Sequence, residues 1–249
     1  MAVEEPLTVQ VNGETITTTM RTPGHDIELA LGWLVSEGVV RQPSDVVGAI
    51  ACDENTVEVR LAAHVQPPAA RLTMQSSACG ICGTDSIDDV VGRRGAPIND
   101  AQSIKADVIL AMPDRLRNAQ SAFDRTGGLH AAGFFTRDGD AVCVREDVGR
   151  HNAVDKIVGW ALKHEALPAT EWLLQVSGRA SFELTQKAVM AGVPLLAAVS
   201  APSSLAVDLA RESELTLVGF SRGESFNCYS AAERLTPAAV VEPQAAQPH

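Results

Sequence analysis

The sequence predicts an α/β protein with a small N-terminal α+β unit followed by a larger unit that is built on a mostly parallel sheet. An Asn12-Gly13 turn between two β-prone runs predicts a hairpin at the start of the chain. After Ser103, apolar runs without alternation are separated by helical patterns, which indicates strands covered on both faces. With 249 residues, 45% of them hydrophobic, the chain can fill a sizeable core.

The elements of the N-terminal unit follow from local patterns. They are, in chain order, a strand over 7–11, its returning strand over 14–20, a helix from 27 to 35 with Asp26 as N-cap and Gly38 as its stop, and a strand over 57–61. Regular pattern is then lost from 62 to 78, where Pro67-Pro68 interrupts the chain, and again from 92 to 103. We therefore expect a connection between two folded units here.

The larger unit is predicted in the same way. Its elements are a helix capped by Ser103 and kinked or split at Pro113, strands over 129–136 and 141–145, a helix over 154–162, a strand over 172–176, a helix over 180–191, a strand over 193–199, a helix over 204–211 capped by Ser203, and a strand over 215–220. The last residues, 236–249, contain mainly Ala, Pro, Val and Gln, and are predicted to be disordered.

Bulk charge excludes some partners. The net charge is −11 and the pI is about 5.0, which opposes general binding to nucleic acid or to an anionic membrane. The N-terminal residues Met1 to Glu5 include no basic segment, and no apolar run approaches the roughly 20 residues of a membrane span. Five cysteines, an odd number, fit a reducing compartment, so we expect a cytoplasmic protein.

Two cysteines, Cys79 and Cys82, lie two residues apart, and a glycine follows each of them. The small neighbouring residues favour a mobile, exposed loop. A structural zinc site would need four ligands, and the other cysteines, Cys52, Cys143 and Cys228, are scattered and predicted to be packed thiols. A thioredoxin-type pair would open a helix, for which this segment is a weak start. The pair therefore favours a thiolate nucleophile that accepts and passes on a group, with an incidental surface pair as the alternative.

Polar residues follow several strands of the larger unit. They form the segments 146–152, 177–179 and 200–204, which include two arginines and several hydroxyls beside predicted helix starts. Ligands of parallel sheets bind beyond the carboxyl ends of the strands. Helix N-termini and guanidinium groups together favour an anion, although each residue alone could be a helix cap or a surface ion pair.

With these residues in view, the chain resembles the FdhD family of formate dehydrogenase accessory sulfurtransferases from about Val9 to Leu235. The blocks that carry the resemblance are Met20-Arg21-Thr22-Pro23-Gly24, Ser36-Glu37-Gly38, Cys79-Gly80-Ile81-Cys82-Gly83, Thr126-Gly127-Gly128-Leu129-His130-Ala131-Ala132, the run from Glu146 to Lys156, Ser177-Gly178-Arg179, and Gly219-Phe220-Ser221-Arg222-Gly223. Several such blocks in order are far more specific than the cysteine pair alone.

The resemblance implies a cytidine-deaminase-like three-layer domain with a mixed sheet, plus a smaller N-terminal α+β domain. The implied division is residues 1–75 for the N-terminal domain, 76–103 for a mobile loop and linker that carries the cysteines, 104–235 for the cofactor-binding domain and 236–249 for the tail. Zinc deamination itself is excluded if the helix starts are placed correctly, because His151-Asn152-Ala153 and Ser177-Gly178-Arg179 lack the required Glu and both cysteines.

The function implied by the resemblance is sulfur transfer. A cysteine desulfurase would load a sulfane sulfur on Cys79, with Cys82 assisting, although spacing does not fix these roles. The sulfur would then pass to the molybdenum of bis-molybdopterin guanine dinucleotide, which is bound as cargo and which GDP or a GMP-like nucleotide could mimic. The implied cofactor contacts are Phe220, Ser221, Arg222, Gly223, Glu224 and Ser225, with Gly127, Gly128, His130, Arg150, His151, Ser177 and Arg179 across the guanine and diphosphate.

Formate dehydrogenase is the implied client, and a homodimer is the implied assembly. Two other functions stay open at this point. One is a chaperone that escorts the cofactor without sulfur chemistry, and the other is a dithiol reductase in which Cys79 and Cys82 cycle as a disulfide. No resident metal, nucleic acid or membrane is expected.

Overall fold

The structure is a computed structural model, and it describes residues 1–70, 87–93, 98 and 103–237. The N-terminal unit contains β1 (Glu5–Val11), β2 (Glu14–Arg21), α1 (Asp26–Ser36), a 3-10 turn (Pro43–Asp45), β3 (Val46–Asp53) and β4 (Thr56–Leu61). Its strands form one sheet in the order β2-β1-β4-β3, in which β1 and β4 are parallel and the other two pairs are antiparallel.

The predicted hairpin is confirmed. Asn12 and Gly13 have φ values of 51° and 86°, the left-handed conformation that a tight two-residue hairpin turn requires. Helix α1 begins one residue earlier than predicted, because His25 and not Asp26 is its N-cap. The Asp26 carboxylate instead accepts two hydrogen bonds from the Arg21 guanidinium, at 3.0 and 3.1 Å. The helix ends at Ser36, just before Gly38, as expected.

Strand β3 was not predicted, since its sequence has no clear alternation. It pairs only with β4 and forms an edge of the small sheet among the described strands. Val47 and Ile50 are exposed there, and so is Cys52, which contradicts its predicted packing. Cys143 is buried as expected, and Cys228 is half-buried.

The larger unit follows after the segment that contains α2 (Ile87–Arg93). Its elements are β5 (Ile104–Lys105), α3 (Ala106–Asn118), α4 (Ser121–Thr126), β6 (His130–Phe135), β7 (Ala141–Asp147), α5 (Arg150–Lys163), β8 (Leu173–Val176), α6 (Phe182–Ala191), β9 (Leu195–Ala198), α7 (Ser204–Glu212), β10 (Thr216–Arg222), β11 (Ser225–Ser230), a 3-10 turn (Ala232–Arg234) and β12 (Leu235–Thr236). Ser203 caps α7 as predicted, with its hydroxyl accepting from the Ala206 N–H.

The main sheet has six strands in the order β11-β10-β9-β8-β6-β7. Strands β8, β9 and β10 are parallel to one another, and these are the three predicted apolar runs without alternation. Strands β11, β6 and β7 pair antiparallel with their neighbours, so the sheet is mixed and not mostly parallel. The polar strand β11 was not predicted.

Both faces of the main sheet are covered, which gives three layers. Alternate residues such as Phe134, Leu174 and Leu196 face a core shared with α5, α6 and α7. The intervening residues, including Phe135 and Leu173, pack on the opposite face against α3. The predicted fold class, a three-layer α/β domain with a mixed sheet and a smaller α+β unit, is confirmed.

The start of α3 differs from the prediction. Ser103 does not cap it, because Ile104 and Lys105 pair in parallel with β12 and the helix begins at Ala106. Helix α3 runs past Pro113 to Asn118 without dividing there. The pairing with β5 also places Thr236 in the folded part and not in the predicted tail, whose residues 238–249 lie outside the described part of the chain.

Helices α1 and α5 cross at two glycines. A Cβ on Gly32 would lie 1.8 Å from the Asp155 carbonyl oxygen, and one on Gly159 would lie 1.8 Å from the Glu28 carbonyl oxygen. Only glycine permits this approach of the two backbones. One continuous core therefore joins the N-terminal unit to α5 and the main sheet, while the bounds of the domains stay a prediction.

Candidate functional site

The two cysteines that the sequence singles out, Cys79 and Cys82, lie outside the described residues. The predicted cofactor contacts, in contrast, all lie on described elements of the larger unit.

A cavity of about 570 Å³ opens at one edge of the main sheet. Its lining comes from α3, α4, the start of β6, and the segments that follow β8, β9 and β10: Pro113, Asp114, Leu116, Arg117, Gln120, Phe123, Gly127, Gly128, Leu129, His130, Ser177, Val199, Arg222 and Gly223. Because β6 is antiparallel to β8, its first residues meet the carboxyl ends of the parallel strands at this edge. This is where ligands of such sheets bind.

Six of the predicted cofactor contacts line the cavity. They are Gly127, Gly128, His130, Ser177, Arg222 and Gly223. Gly127 ends α4 with φ 65°, and Gly223 turns the chain between β10 and β11 with φ 61°. Both conformations favour glycine and keep the cavity wall free of side chains at these points.

The polar groups of the cavity suit an anionic ligand. Arg222 is exposed at the end of β10, so its guanidinium can pair with a phosphate. The Ser177 hydroxyl accepts the Ala131 N–H at 2.9 Å and retains a proton that it can donate. Burial, and then the positive charge of Arg150, lower the pKa of His130, so its imidazole is neutral at physiological pH.

The aromatic wall of the cavity was missed by sequence reasoning. The Arg117 guanidinium lies 4.6 Å above the ring of Phe123 and forms an ion pair of 2.7 Å with Asp124. The Glu146 carboxylate holds α4 in place by accepting the Ala122 and Phe123 N–H groups at 2.8 and 2.7 Å. A weak signal was available, because Pro113 and Arg117 lie four residues apart on one face of α3.

Four predicted contacts after Gly219 do not line this cavity. Ser221 is fully buried, and its hydroxyl donates to the Ile109 carbonyl at 3.2 Å, which ties β10 to α3. Phe220 has φ 55° at an irregularity in the pairing of β10 with β11. Glu224 and Ser225 are exposed in the turn that follows and at the start of β11. Their contact with a cofactor stays a prediction.

The remaining three predicted contacts, Arg150, His151 and Arg179, lie beside the cavity and do not line it. Arg179 is exposed. His151 is on the first turn of α5, where its Nε2 lies 3.2 Å from a Glu183 carboxylate oxygen on the first turn of α6. Glu183 was not singled out in the sequence, because a helical glutamate is usually exposed.

Another set of family residues has a structural role. Asp147, fully buried at the end of β7, accepts the N–H groups of Thr22 at 3.1 Å and Gly149 at 2.8 Å. It also accepts from the Asn152 amide at 3.0 Å and pairs with the buried Lys156 ammonium at 2.7 Å. This network joins the segment after β2 to the start of α5.

Two kinds of feature, a cluster of metal-binding side chains and a membrane-spanning helix, are absent from the described residues. Within 1–70, 87–93, 98 and 103–237 there is no group of three or more His, Cys, Asp or Glu side chains that could hold a metal ion. None of the helices in the same ranges has the length and apolar character of a membrane span.

The fold is shared with a solved structure, that of a formate dehydrogenase accessory protein from Desulfotalea psychrophila. The two chains superpose with a TM-score of 0.78 over 94% of this chain and 90% of the other. They are 24% identical, so this likeness supports the fold alone.

Sequence comparison is more specific. Residues 2–236 match the model of the FdhD/NarQ family. A protein of Nocardia farcinica named a sulfur carrier protein FdhD is 54% identical, with 94% of this chain and 88% of that protein covered. A protein of the same name from Mycobacterium tuberculosis is 52% identical, with 95% and 91% covered. The chain belongs to the FdhD/NarQ family.

Proposed function

We propose that this chain is a sulfur carrier that serves a formate dehydrogenase. It would accept a sulfane sulfur from a cysteine desulfurase as a persulfide on Cys79, with Cys82 assisting. It would then deliver that sulfur to the molybdenum of bis-molybdopterin guanine dinucleotide. The observation that carries this proposal is the identity of 54%, over nearly the whole chain, to a protein named a sulfur carrier.

The cavity supports a nucleotide as part of the cargo. Its volume of about 570 Å³ falls within the usual range of small-molecule sites, about 300–1,000 Å³, and suits one nucleotide end of a much larger dinucleotide cofactor. Arg222 and the glycine-lined wall can accommodate a phosphate, and Phe123 with the Arg117 guanidinium above its ring gives the wall a planar, apolar and cationic part that suits a base. GDP is therefore a suitable probe of this cavity.

The loading step balances as a thiol exchange. The carrier thiol loses its proton and attacks the outer sulfur of the donor persulfide, so one S–S bond forms and another breaks. The donor leaves as a thiolate, which takes up a proton, and no net oxidation occurs.

The delivery step, unlike the loading step, includes a redox change, because the transferred sulfur is reduced to sulfide. When Cys82 attacks the inner sulfur of a persulfide on Cys79, the outer sulfur leaves as sulfide for the metal and the two cysteines become a disulfide. A dithiol reductant of the thioredoxin class would then return both thiols.

The proposal is tested by intact mass after incubation with a cysteine desulfurase and cysteine, comparing the wild type with Cys79→Ala and Cys82→Ala. We expect a reducible gain of about 32 Da, one sulfur atom, which disappears in the variant that lacks the carrier thiol. If no variant gains sulfur while a known acceptor does, the proposal fails. Active dehydrogenase made with the double variant would then identify a cofactor chaperone.

A further inference from the structure

Two side chains that line the cavity, Asp114 and Gln120, keep their polar atoms free. Asp114 lies on α3, and Gln120 lies in the link between α3 and α4. Neither the Asp114 carboxylate nor the Gln120 amide forms a hydrogen bond or an ion pair within the part of the chain that the structure describes. Both groups are therefore available to a ligand.

The free amide of Gln120 is informative because the residue is buried. Only 3% of Gln120 is exposed. Its backbone groups are both used, since its N–H donates to the Arg117 carbonyl and its carbonyl accepts the Asp124 N–H, each at 3.2 Å. Its side chain, in contrast, makes no capping hydrogen bond to α4. A buried amide without a partner is unfavourable, so this position indicates a ligand with hydrogen-bonding groups of its own.

Asp114 places a negative charge in a cavity whose arginine suits an anion. The basic residues that follow it on α3 are engaged elsewhere, because Arg115 pairs with Asp140 at 3.5 Å and Arg117 pairs with Asp124 at 2.7 Å. A free carboxylate repels a phosphate, but it is a strong acceptor of hydrogen bonds. Asp114 therefore suits a part of the ligand that carries N–H donors and no negative charge.

The order of the strands separates the two ends of the cavity. Arg222 lies at the end of β10 and His130 at the start of β6, with β9 and β8 between them. Three strand spacings of about 4.8 Å place these two ends about 14 Å apart. Gln120 and Phe123 belong to the β6 end, because α4 leads directly into β6. A nucleotide with its phosphate on Arg222 can thus place its base near Gln120.

Among the common bases, guanine matches this pair of side chains. Its Watson–Crick edge presents one acceptor, O6, followed by two donors, N1–H and N2–H. An amide can donate to O6 while a carboxylate accepts from both donors in a bidentate, charge-assisted contact. Adenine presents a donor and then an acceptor at the same positions, so its N1 lone pair would face the carboxylate.

We propose that Asp114 and Gln120 determine the base specificity of the cavity. The Asp114 carboxylate accepts N1–H and N2–H of guanine, and the Gln120 amide donates to O6. The base stacks on the wall that Phe123 and the Arg117 guanidinium form, since bases stack on aromatic and guanidinium planes. This inference rests on the nucleotide-bearing cargo proposed above and assigns the residues that select its base.

The test is isothermal titration calorimetry of the full chain with GDP, IDP, ADP and XDP, which differ only in the base. IDP lacks the N2 amino group, and XDP has a carbonyl oxygen in its place. We expect the wild type to bind GDP about tenfold more tightly than IDP, because one hydrogen bond to a charged group is lost. GDP should bind about 100-fold more tightly than ADP or XDP, in which an acceptor faces the carboxylate.

Asp114→Asn gives the most specific readout. The new amide can accept N1–H and donate to O2 of xanthine, so the order of affinity should reverse, with XDP bound about tenfold more tightly than GDP. A change of charge or of folding alone would alter all four affinities in the same direction and reverse nothing. The matched control Asp208→Asn, at an exposed position on α7, should keep the order of the wild type.

Gln120→Met removes the amide and approximately keeps the size of the side chain. We expect the affinity for GDP to fall about tenfold, while the unfolding temperature stays the same or rises, because the amide has no partner in the described protein to lose. A lower unfolding temperature with unchanged GDP affinity would show that Gln120 serves the fold and does not contact the base.

Equal binding of GDP and ADP by the wild type overturns the base-reading role and leaves nucleotide binding by the cavity intact. This comparison needs no variant, so it holds even if Asp114→Asn folds poorly. A folded Asp114→Asn protein that binds XDP no better than GDP also overturns the role of Asp114. If the wild type binds none of the four nucleotides, the nucleotide-bearing cargo is contradicted and this inference fails with it, while sulfur loading is measured separately by intact mass.

Discussion

The crossing of α1 and α5 allows a quantitative prediction for Gly159→Ala. The added Cβ would lie 1.8 Å from the Glu28 carbonyl oxygen and 2.8 Å from the Gly32 nitrogen. Both contacts are with backbone atoms, so no side-chain rotation relieves them. The two helices must separate by about 1.5 Å to restore an ordinary contact of about 3.4 Å, and a gap of this size forfeits much of the van der Waals attraction along the crossing.

The magnitude follows from two opposing terms. Overpacking of a well-packed core costs about 1–3 kcal/mol, and we expect at least the upper value here because backbone must move. Replacing a helical glycine by alanine returns about 1 kcal/mol of helix propensity. The expected net loss is therefore about 2 kcal/mol, or about 4–8 °C in the unfolding temperature for a chain of this size.

The measurement is thermal and urea unfolding of Gly159→Ala beside a matched control, Gly48→Ala. Gly48 lies in β3, where a Cβ would meet nothing within 4 Å, and its φ is ordinary. The control should be neutral or slightly stabilising, by up to about 1 kcal/mol, because alanine restricts the unfolded chain. If Gly159→Ala is as stable as the control, the close crossing of the helices is refuted.

Two other predictions follow, one from the cavity and one from the contact between His151 and Glu183. Arg222→Ala should weaken GDP binding about tenfold or more, measured by calorimetry, because a hydrogen bond to a charged group contributes about 1.5–3 kcal/mol. Glu183→Gln should make the protein more sensitive to acid: relative to the wild type, its free energy of unfolding should fall by about 2 kcal/mol between pH 6.5 and pH 5.

The sign of the second prediction follows from the two pKa values. Burial raises the pKa of Glu183 to about 7, so its folded form binds a proton that the unfolded form releases, and the wild type gains stability as the pH falls from 7 toward 4.5. Burial lowers the pKa of His151 to about 3, so the unfolded form binds the extra proton and stability is lost below pH 6.5. These contributions nearly cancel in the wild type, and Glu183→Gln leaves the loss from His151 alone.

The controls differ between the two experiments. Arg211→Ala, at an exposed position on α7, should leave GDP binding unchanged. An equal loss of affinity in both arginine variants would show that general charge, and not the cavity, attracts the nucleotide. For the acid titration, equal slopes for Glu183→Gln and wild type would contradict the raised pKa of Glu183.

Local sequence patterns predicted much of the fold, because the conformation of these turns and strands depends mainly on the residues of a short stretch of chain. Asn12 and Gly13 adopt the left-handed backbone conformation that a tight turn needs. The three apolar runs after residue 171 form the parallel strands β8, β9 and β10. Asp26 was misplaced because its preferred partner, Arg21, lies outside the helix. That choice depends on tertiary contacts, which a pattern of propensities does not contain.

The same distinction holds for the candidate site. Ser177 was predicted because residues after the carboxyl ends of strands are expected to bind ligands, whereas Gly127 and Gly223 were predicted from the resemblance to the family. Phe123 and Arg117 lie on helices, and their role depends on how α3 and α4 dock on the sheet. Glu183 reads as an ordinary surface charge until the packing of α5 against α6 buries it.

The sequence blocks that identify the family contain residues whose hydrogen-bonding atoms all have partners and residues with an unpaired atom. Asp147 has a full set of donors, and its buried pair with Lys156 fixes the start of α5 against the segment after β2. A buried ion pair adds little net stability, so we infer that its contribution is positional. Arg150 and His151 follow Asp147 within four residues, and an Arg150 nitrogen remains without a partner in the part of the chain that is described. Asp147 thus fixes the position of Arg150 and His151 at the start of α5.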